Sequence, residues 1–266
     1  MCRHLAYLGP PKSLRELLID PPHSLYRQSW EPRRQAHGVV NADGFGVGWF
    51  APGDPEPARY RQAGPIWADP SLPDIARVTR SGAVLAAVRD ATVGAATGSE
   101  AAAPYAGDGW LFSHNGAIDD YPQSMAKLAE TIPAVRLLES EARTDSAFVW
   151  ALIRSRFRAG AAMAEAVASV VADVAALAGA RLNLLLTDGH TIVASVAGDS
   201  LSVLISNGLL ENDLIANMDG ADIDGRGTAV GGGAVTVASE PHDDAPGWTE
   251  VPPGVHTWNT EGAVQA

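Results

Sequence analysis

The chain has 266 residues, of which 46% are hydrophobic and 19% charged, a composition typical of globular proteins and too apolar for intrinsic disorder. Its 19 basic and 31 acidic residues give a formal net charge of -12, which argues against nucleic acid as a partner, because nucleic acid is bound by clustered lysine and arginine. One cysteine excludes an internal disulfide, the chain begins without an export signal, and charges interrupt its apolar stretches, so we expect a cytoplasmic protein without a membrane partner.

The first half of the chain predicts mainly short strands, because its apolar runs are rich in aliphatic and aromatic residues and bounded by Gly, Pro or Asp. These runs are CRHLAYLG, GFGVGWF, AVLAAVRDA and WLFSHNG. A helix is predicted after Lys12, because Ser13 can cap the segment SLRELLI. The segment SEAAAPYAGDG is rich in small residues and predicts a loop.

The second half predicts two helices followed by more strands. The first helix begins at Thr144, a good N-cap that precedes Asp145 and apolar residues at four-residue spacing, and the second covers residues 161–178. The predicted strands are RLNLLLTDG, TIVASVAG, LSVLIS, GAVTVASEP and WTEVPPG, while ENDLIANMDGADIDGRG and the last dozen residues predict loops or tails. This order favours an α+β domain with a helical layer over antiparallel sheet.

Cys2, directly behind the initiator methionine, has two interpretations. A free cysteine is often simply a small buried residue, here opening a strand. Alternatively, removal of Met1, which is expected before a small second residue, would give Cys2 both a thiol and a free α-amine. The pKa of an unperturbed α-amine is about 7.7–8.0 and that of cysteine about 8.5, so the amine could take the thiol proton without a histidine.

Other residues suited to acyl transfer follow predicted strands or open a helix. Asn115 and Gly116 could donate a side-chain amide and a backbone N–H to a developing oxyanion. Arg89, at a strand end, could bind a carboxylate with two parallel hydrogen bonds, and Asp145 could receive an ammonium group. Taken singly, these residues are equally explained as a turn, a surface charge and a favourable charge at a helix start.

Taken in order, the motifs MC, RDATVG, HNG and TDS resemble the class II glutamine amidotransferases. The resemblance implies an α+β fold of the N-terminal-nucleophile hydrolase type, a four-layer αββα sandwich, formed by a single domain over residues 2–266 once Met1 is removed. It also implies a set of site residues. These are Cys2 as the nucleophile with its own amine as base, Asn115 and Gly116 as the oxyanion hole, Arg89 assisted by Thr92 at the α-carboxylate of a γ-glutamyl group, and Asp145 at its α-ammonium. Beside the resemblance, His114 is a further candidate for substrate binding, and its imidazole either orients the oxyanion loop or merely packs there.

Two positions depart from the pattern Arg-Trp-Ala-Thr-His-Gly that is common in the synthases of this family. Asp90 replaces the tryptophan and Val93 replaces the histidine. A carboxylate beside Arg89 would partly neutralise its charge, so we expect Asp90 to point away from the site.

From the length of the chain, we expect no second domain that would use released ammonia. Moreover, NADGFGVGWF and VASEPHDDAPGWTEVPPG resemble stand-alone members of the family that remove glutamate from γ-glutamyl-hercynylcysteine sulfoxide in ergothioneine biosynthesis. We therefore predict a cysteine-dependent hydrolase of this small-molecule γ-glutamyl substrate, with no cofactor and no metal, and with a homodimer left open. Two alternatives stand beside it: a glutaminase subunit that supplies ammonia to a separate synthase, and an inactive binding or regulatory domain on the same fold.

Overall fold

The computed structural model describes residues 2–36, 38–91, 96–206, 233–259 and 262–264, the last three for their backbone alone. The strands are β1 (Arg3–Ser13), β2 (Phe45–Trp49), β3 (Ala58–Gln62), β4 (Arg80–Val88), β5 (Tyr105–Gly107), β6 (Trp110–Ile118), β7 (Ala180–Thr187), β8 (Thr191–Val196), β9 (Ser202–Ser206), β10 (Ala234–Ala238), β11 (Thr249–Glu250), β12 (Gly254–Asn259) and β13 (Gly262–Val264). The α-helices are α1 (Leu14–Leu18), α2 (Leu25–Gln28), α3 (Leu72–Val78), α4 (Ala126–Ala129), α5 (Ala134–Leu138), α6 (Asp145–Arg158) and α7 (Met163–Ala175).

The strands form two antiparallel sheets. One has the order β11-β9-β10-β1-β4-β2-β3 and the other the order β13-β12-β8-β7-β6-β5. Their inner faces pack on each other through side chains such as Leu8, Leu85, Leu111 and Leu185. Burying an aliphatic side chain of this size stabilises a fold by about 1.5–3 kcal/mol, so this inner layer holds the two sheets together.

Helices cover both outer faces of the stacked sheets. Leu14 and Leu17 of α1 pack with Leu5 of β1 on the first sheet. On the second sheet, Val149 of α6 belongs to one buried cluster with Phe112 of β6. The result is the four-layer αββα sandwich that the family resemblance implied, and the α+β prediction is confirmed.

Both predicted helix starts are confirmed by their caps. Ser13 Oγ accepts a hydrogen bond from the Glu16 backbone N–H at 3.1 Å, and the Glu16 carboxylate accepts one from the Ser13 N–H at 2.7 Å, which completes a capping box. Thr144 Oγ1 accepts a hydrogen bond from the Ala147 N–H at 3.1 Å and begins α6. Asp145 is therefore held at a helix start.

Two predicted loops are wrong. The segment SEAAAPYAGDG contains β5, whose Tyr105 lies opposite Phe112 and is 1% exposed. The last dozen residues contain most of β12, which pairs with β8 and buries Trp258. Neither strand shows a local apolar pattern, because β5 is a three-residue edge strand and β12 is defined by its pairing with the distant β8. The helices α2 to α5, of four to seven residues, were too short to show a periodicity. The predicted loop over residues 211–227 lies outside the described residues.

In the part of the chain that the structure describes, no helix has both the length and the apolar character needed to cross a membrane.

Candidate active site

A cavity of about 620 Å³ lies where β1 begins, β4 ends and α6 begins. Its lining includes Cys2, Arg89, Gly116 and Asp145. Strand register explains part of this convergence, because Arg3 at the start of β1 lies opposite Val88 at the end of β4. Cys2 and Arg89 therefore lie at the same end of two neighbouring strands, although 87 positions separate them in the sequence.

The backbone of Cys2 is held on both sides. Its N–H donates to Asn115 Oδ1 at 3.0 Å, and its carbonyl oxygen accepts a hydrogen bond from Arg3 Nε at 2.9 Å. Burial raises the pKa of the Cys2 thiol, while a hydrogen bond from the Asp90 backbone and the positive charge of Arg89 act in the opposite direction. Burial is the largest of these effects, so the thiol is protonated at neutral pH and needs a base before it can attack.

Asn115 carries a donor that the protein leaves unused. The residue is fully buried, and its Nδ2 makes no hydrogen bond to any residue that the structure describes. A buried donor without a partner costs about 1–3 kcal/mol of stability, and this one is available to donate a hydrogen bond to a ligand. Because Oδ1 of the same amide holds the Cys2 N–H, Nδ2 is close to the nucleophile.

Gly116 lies next to this amide in β6 and lines the cavity. A Cβ at this position would collide with the Arg181 carbonyl oxygen of the neighbouring strand and lie 2.7 Å from His114 Nε2. A side chain is thus excluded here, and the backbone can approach a substrate closely.

His114 lies behind the site rather than in it. Its Nε2 is 2.9 Å from the Arg181 carbonyl oxygen and its Nδ1 is 3.0 Å from Ser146 Oγ. A carbonyl can only accept, so Nε2 carries the proton and a neutral ring accepts the Ser146 hydroxyl at Nδ1. Both nitrogens are engaged, and His114 is absent from the cavity lining. The predicted contact of His114 with the substrate is not seen in this lining, and the orienting and packing interpretations both stay predictions.

Arg89 and Asp145 present opposite charges to the cavity. Arg89 is 8% exposed, and its Nη1 donates to the Asp43 carbonyl oxygen at 3.3 Å, which occupies one of five guanidinium donors. The Asp145 carboxylate accepts the Ile118 N–H at 3.2 Å and the Ser146 N–H at 2.8 Å. These bonds fix both side chains while leaving donors on one and lone pairs on the other for a zwitterionic ligand.

Asp90 is among the residues that line the cavity, but its carboxylate lies against Gly38, which is absent from that lining, in agreement with the expectation that this side chain points away from the site. Its carboxylate occupies the space that a Cβ on Gly38 would need, which directs it toward the segment that contains Gly38. Thr92 and Val93 lie outside the described residues.

Sequence reasoning missed the far wall of the cavity. Tyr121 and Phe148 line it with ring centroids 5.9 Å apart, together with Asp120 and Leu137. Burial raises the pKa of the Tyr121 hydroxyl, and the negative charge of Asp145 adds to the effect. No motif marks these residues, because they come from a turn and from the two helices that fold over it.

No group of three or more His, Cys, Asp or Glu side chains suited to a metal occurs within the described ranges.

Known proteins are similar to this chain both in sequence and in fold. Residues 18–266 match the family model of the class-II glutamine amidotransferases. The chain is 40% identical over 255 residues to a γ-glutamyl-hercynylcysteine sulfoxide hydrolase of Mycolicibacterium smegmatis, covering 95% of this chain and 92% of that protein. It is 38% identical over 253 residues to the protein of the same name from Mycobacterium tuberculosis, covering 95% and 90%.

A solved class-II glutamine aminotransferase domain protein from Silicibacter pomeroyi superposes with a TM-score of 0.61 at 26% identity, covering 99% of this chain and 97% of that one. The sequence matches and this superposition extend over nearly the whole chain. The protein is therefore an enzyme of the class-II glutamine amidotransferase family.

Proposed function

We propose that this enzyme hydrolyses the amide bond between the γ-carboxyl of glutamate and hercynylcysteine sulfoxide, with Cys2 as an N-terminal nucleophile after removal of Met1. The reaction type is carried by one observation, the buried Asn115 amide that holds the Cys2 backbone and leaves Nδ2 unpaired within the described structure. The substrate is supported by the two mycobacterial relatives, which are named for this activity.

The proposed reaction uses Cys2 for both attack and proton transfer. The α-amine takes the proton from Sγ, and the thiolate attacks the γ-carbonyl carbon. The oxyanion that forms accepts hydrogen bonds from Asn115 Nδ2 and the Gly116 N–H. The C–N bond then breaks, the cysteine-derived amine leaves with the proton from the α-ammonium, and a γ-glutamyl thioester remains. A water molecule attacks this thioester with the same amine as base, which releases glutamate and restores the thiol.

Arg89 and Asp145 are suited to bind the glutamate end. The guanidinium pairs with the α-carboxylate and the fixed carboxylate pairs with the α-ammonium, so a γ-glutamyl group binds in one orientation. The resemblance adds Thr92 beside the α-carboxylate. Because both contacts are made to the glutamate end, this part of the site would bind γ-glutamyl amides with different leaving groups.

The size and chemistry of the cavity favour a conjugate over free glutamine. The cavity of about 620 Å³ lies within the range of about 300–1,000 Å³ that is typical of small-molecule pockets. This volume is larger than one amino acid needs. The leaving group named for the relatives contains a trimethylammonium, and quaternary ammonium groups favour aromatic faces and carboxylates. Tyr121 and Phe148, with Asp120 nearby, supply such a wall.

The decisive experiment compares glutamate release from γ-glutamyl-hercynylcysteine sulfoxide, γ-glutamylcysteine and glutamine, after intact mass has established whether Met1 is gone. We expect kcat/KM to be highest for the sulfoxide conjugate and Cys2→Ala to abolish release while the protein remains folded. A preference for glutamine would identify a glutaminase subunit instead. Retention of Met1, with no release from any substrate, would support the inactive domain.

Three further expectations accompany this proposal. A cytoplasmic location suits a nucleophilic thiol that must stay reduced. A single domain over residues 2–266 suits the two sheets that share one inner layer. A homodimer, and the absence of nucleic-acid binding expected from the net charge of -12, stay predictions.

A further inference from the structure

Arg3 and Glu240 form a buried ion pair directly behind the nucleophile. Their side chains are 1% and 0% exposed, and Arg3 Nη1 lies 4.0 Å from Glu240 Oε2. Through Nε, Arg3 also donates to the Cys2 carbonyl oxygen at 2.9 Å. Burying two charges costs free energy that simple packing would not, so the pair calls for an explanation beyond stability.

Strand register brings the pair together. Leu5 of β1 lies opposite Ala238 of β10, and the Ser239 N–H donates to the His4 carbonyl oxygen at 3.0 Å. Continuing this antiparallel pairing by one residue places Glu240 beside Arg3, from the opposite end of the sequence.

The Glu240 carboxylate also holds a second segment. It accepts the backbone N–H of Arg33 at 3.0 and 3.1 Å and that of Arg34 at 2.7 Å. These hydrogen bonds, together with the Arg33 guanidinium, whose Nε lies 3.8 Å from Glu240 Oε1, tie residues 33 and 34 to Glu240. The segment that begins here continues to Gly38, against which the Asp90 carboxylate lies.

We propose that this ion pair tunes the α-amine of Cys2 as the catalytic base, with Arg3 favouring the neutral amine and Glu240 opposing it. The inference rests on the proposed role of that amine. Because the carbonyl oxygen and the nitrogen of one residue lie about 3 Å apart, the guanidinium comes within about 6 Å of the amine. At this distance, one unit charge moves a pKa by about one pH unit in an environment between water and protein interior.

The direction of each effect follows from the charges. The positive charge of Arg3 disfavours the protonated amine and keeps it available as a base near neutral pH. The negative charge of Glu240 limits this effect, and we expect its influence to be smaller, because Arg3 donates directly to the Cys2 carbonyl oxygen whereas Glu240 contacts Arg3. In addition, the hydrogen bond from Arg3 Nε fixes the Cys2 backbone, which makes Arg3 a positioning residue.

Other charged residues face the same region, and none of them is substituted in the variants tested below. On the cavity side they are Arg89, Asp90 and Asp145. On the side of β7 and β8 they are Arg181 and Asp199, 3.6 Å apart. The two histidines nearby are His114 and His4, and burial lowers the pKa of His4 well below its usual value, which keeps this ring neutral.

The test measures kcat/KM for glutamate release against pH in the full-length protein with Met1 removed, since the acidic limb of this profile reports the base of the free enzyme. Arg3→Met removes the positive charge, and we expect the midpoint of the acidic limb to lie about one pH unit higher than in the wild type. Glu240→Gln removes the negative charge while keeping the shape, and we expect the limb to move down by about half a pH unit. In the double variant the two shifts should partly cancel, which leaves the limb about half a pH unit above that of the wild type.

Arg3→Lys is the matched control. It keeps the charge but loses the planar donor to the Cys2 carbonyl, so we expect an unmoved limb with kcat lowered about tenfold. The wild type and the four variants are also alkylated at Cys2 with iodoacetamide across the pH range, which follows thiolate formation without turnover. If Arg3→Met does not fold, an unmoved limb in Arg3→Lys together with a lowered limb in Glu240→Gln still supports the inference.

Limbs that stay in place in folded Arg3→Met and Glu240→Gln, or that move in the same direction in both, would overturn it, because a purely structural pair would lower kcat without opposite shifts. This outcome differs from failure of the proposed function. In that case, the wild type itself would release no glutamate or would retain Met1.

Discussion

The buried amide of Asn115 accepts the Cys2 N–H at Oδ1 and leaves Nδ2 without a hydrogen bond to the described residues. Asn115→Ala removes both groups. Losing the hydrogen bond costs about 0.5–1.5 kcal/mol, whereas losing an unsatisfied buried donor recovers about 1–3 kcal/mol. The two changes offset each other, so we expect the free energy of unfolding to change by less than about 2 kcal/mol.

Catalysis should respond very differently. Removing one oxyanion donor typically costs about 2.7–4 kcal/mol of transition-state stabilisation, so kcat should fall about 10²–10³-fold with little change in KM. Asn115→Asp separates the two roles of the amide. It keeps an acceptor for the Cys2 N–H but replaces the donor by a negative charge, so kcat should fall at least as far as in Asn115→Ala.

The assay combines steady-state glutamate release with thermal unfolding of each variant. Ser113→Ala is the control, because Ser113 is fully buried in the same strand and its hydroxyl contacts His4 Nδ1 at 3.1 Å, outside the cavity lining. This control should keep kcat within about threefold while losing one buried hydrogen bond. If Asn115→Ala retained kcat within about fivefold of the wild type, the oxyanion-hole assignment would be wrong.

Three further predictions concern residues around the nucleophile. Arg89→Lys should raise KM for the γ-glutamyl substrate about tenfold in steady-state kinetics, because lysine cannot form two parallel hydrogen bonds; an unchanged KM would contradict a carboxylate contact. Gly116→Ala should lower the melting temperature and abolish glutamate release, because the new methyl group meets the Arg181 carbonyl, and a variant with normal melting would show that this close approach is not made. Nitrogen NMR should find the proton of neutral His114 on Nε2, and a proton on Nδ1 instead would rule out the hydrogen bond donated by Ser146.

Local patterns were sufficient for much of the fold. Ser13 and Thr144 are recognisable caps, since each satisfies backbone N–H groups within the next three residues. In contrast, β5 and β12 were missed, because a short strand with small or polar residues is defined by the strand beside it. The candidate site followed from ordered motifs and a family resemblance, whereas the position of His114 required the hydrogen bonds to Ser146 and Arg181.

The sequence by itself determined the residue types that acyl transfer needs and their order along the chain. Cys2 behind Met1, Arg89 at the end of a strand, and Asn115 before Gly116 are all local features. Side-chain periodicity tells which face of a strand is buried, but it does not specify which distant strand lies alongside. Only the tertiary structure decided that β10 would pair with β1 and bring Glu240 to Arg3, because that contact depends on strand register between opposite ends of the chain.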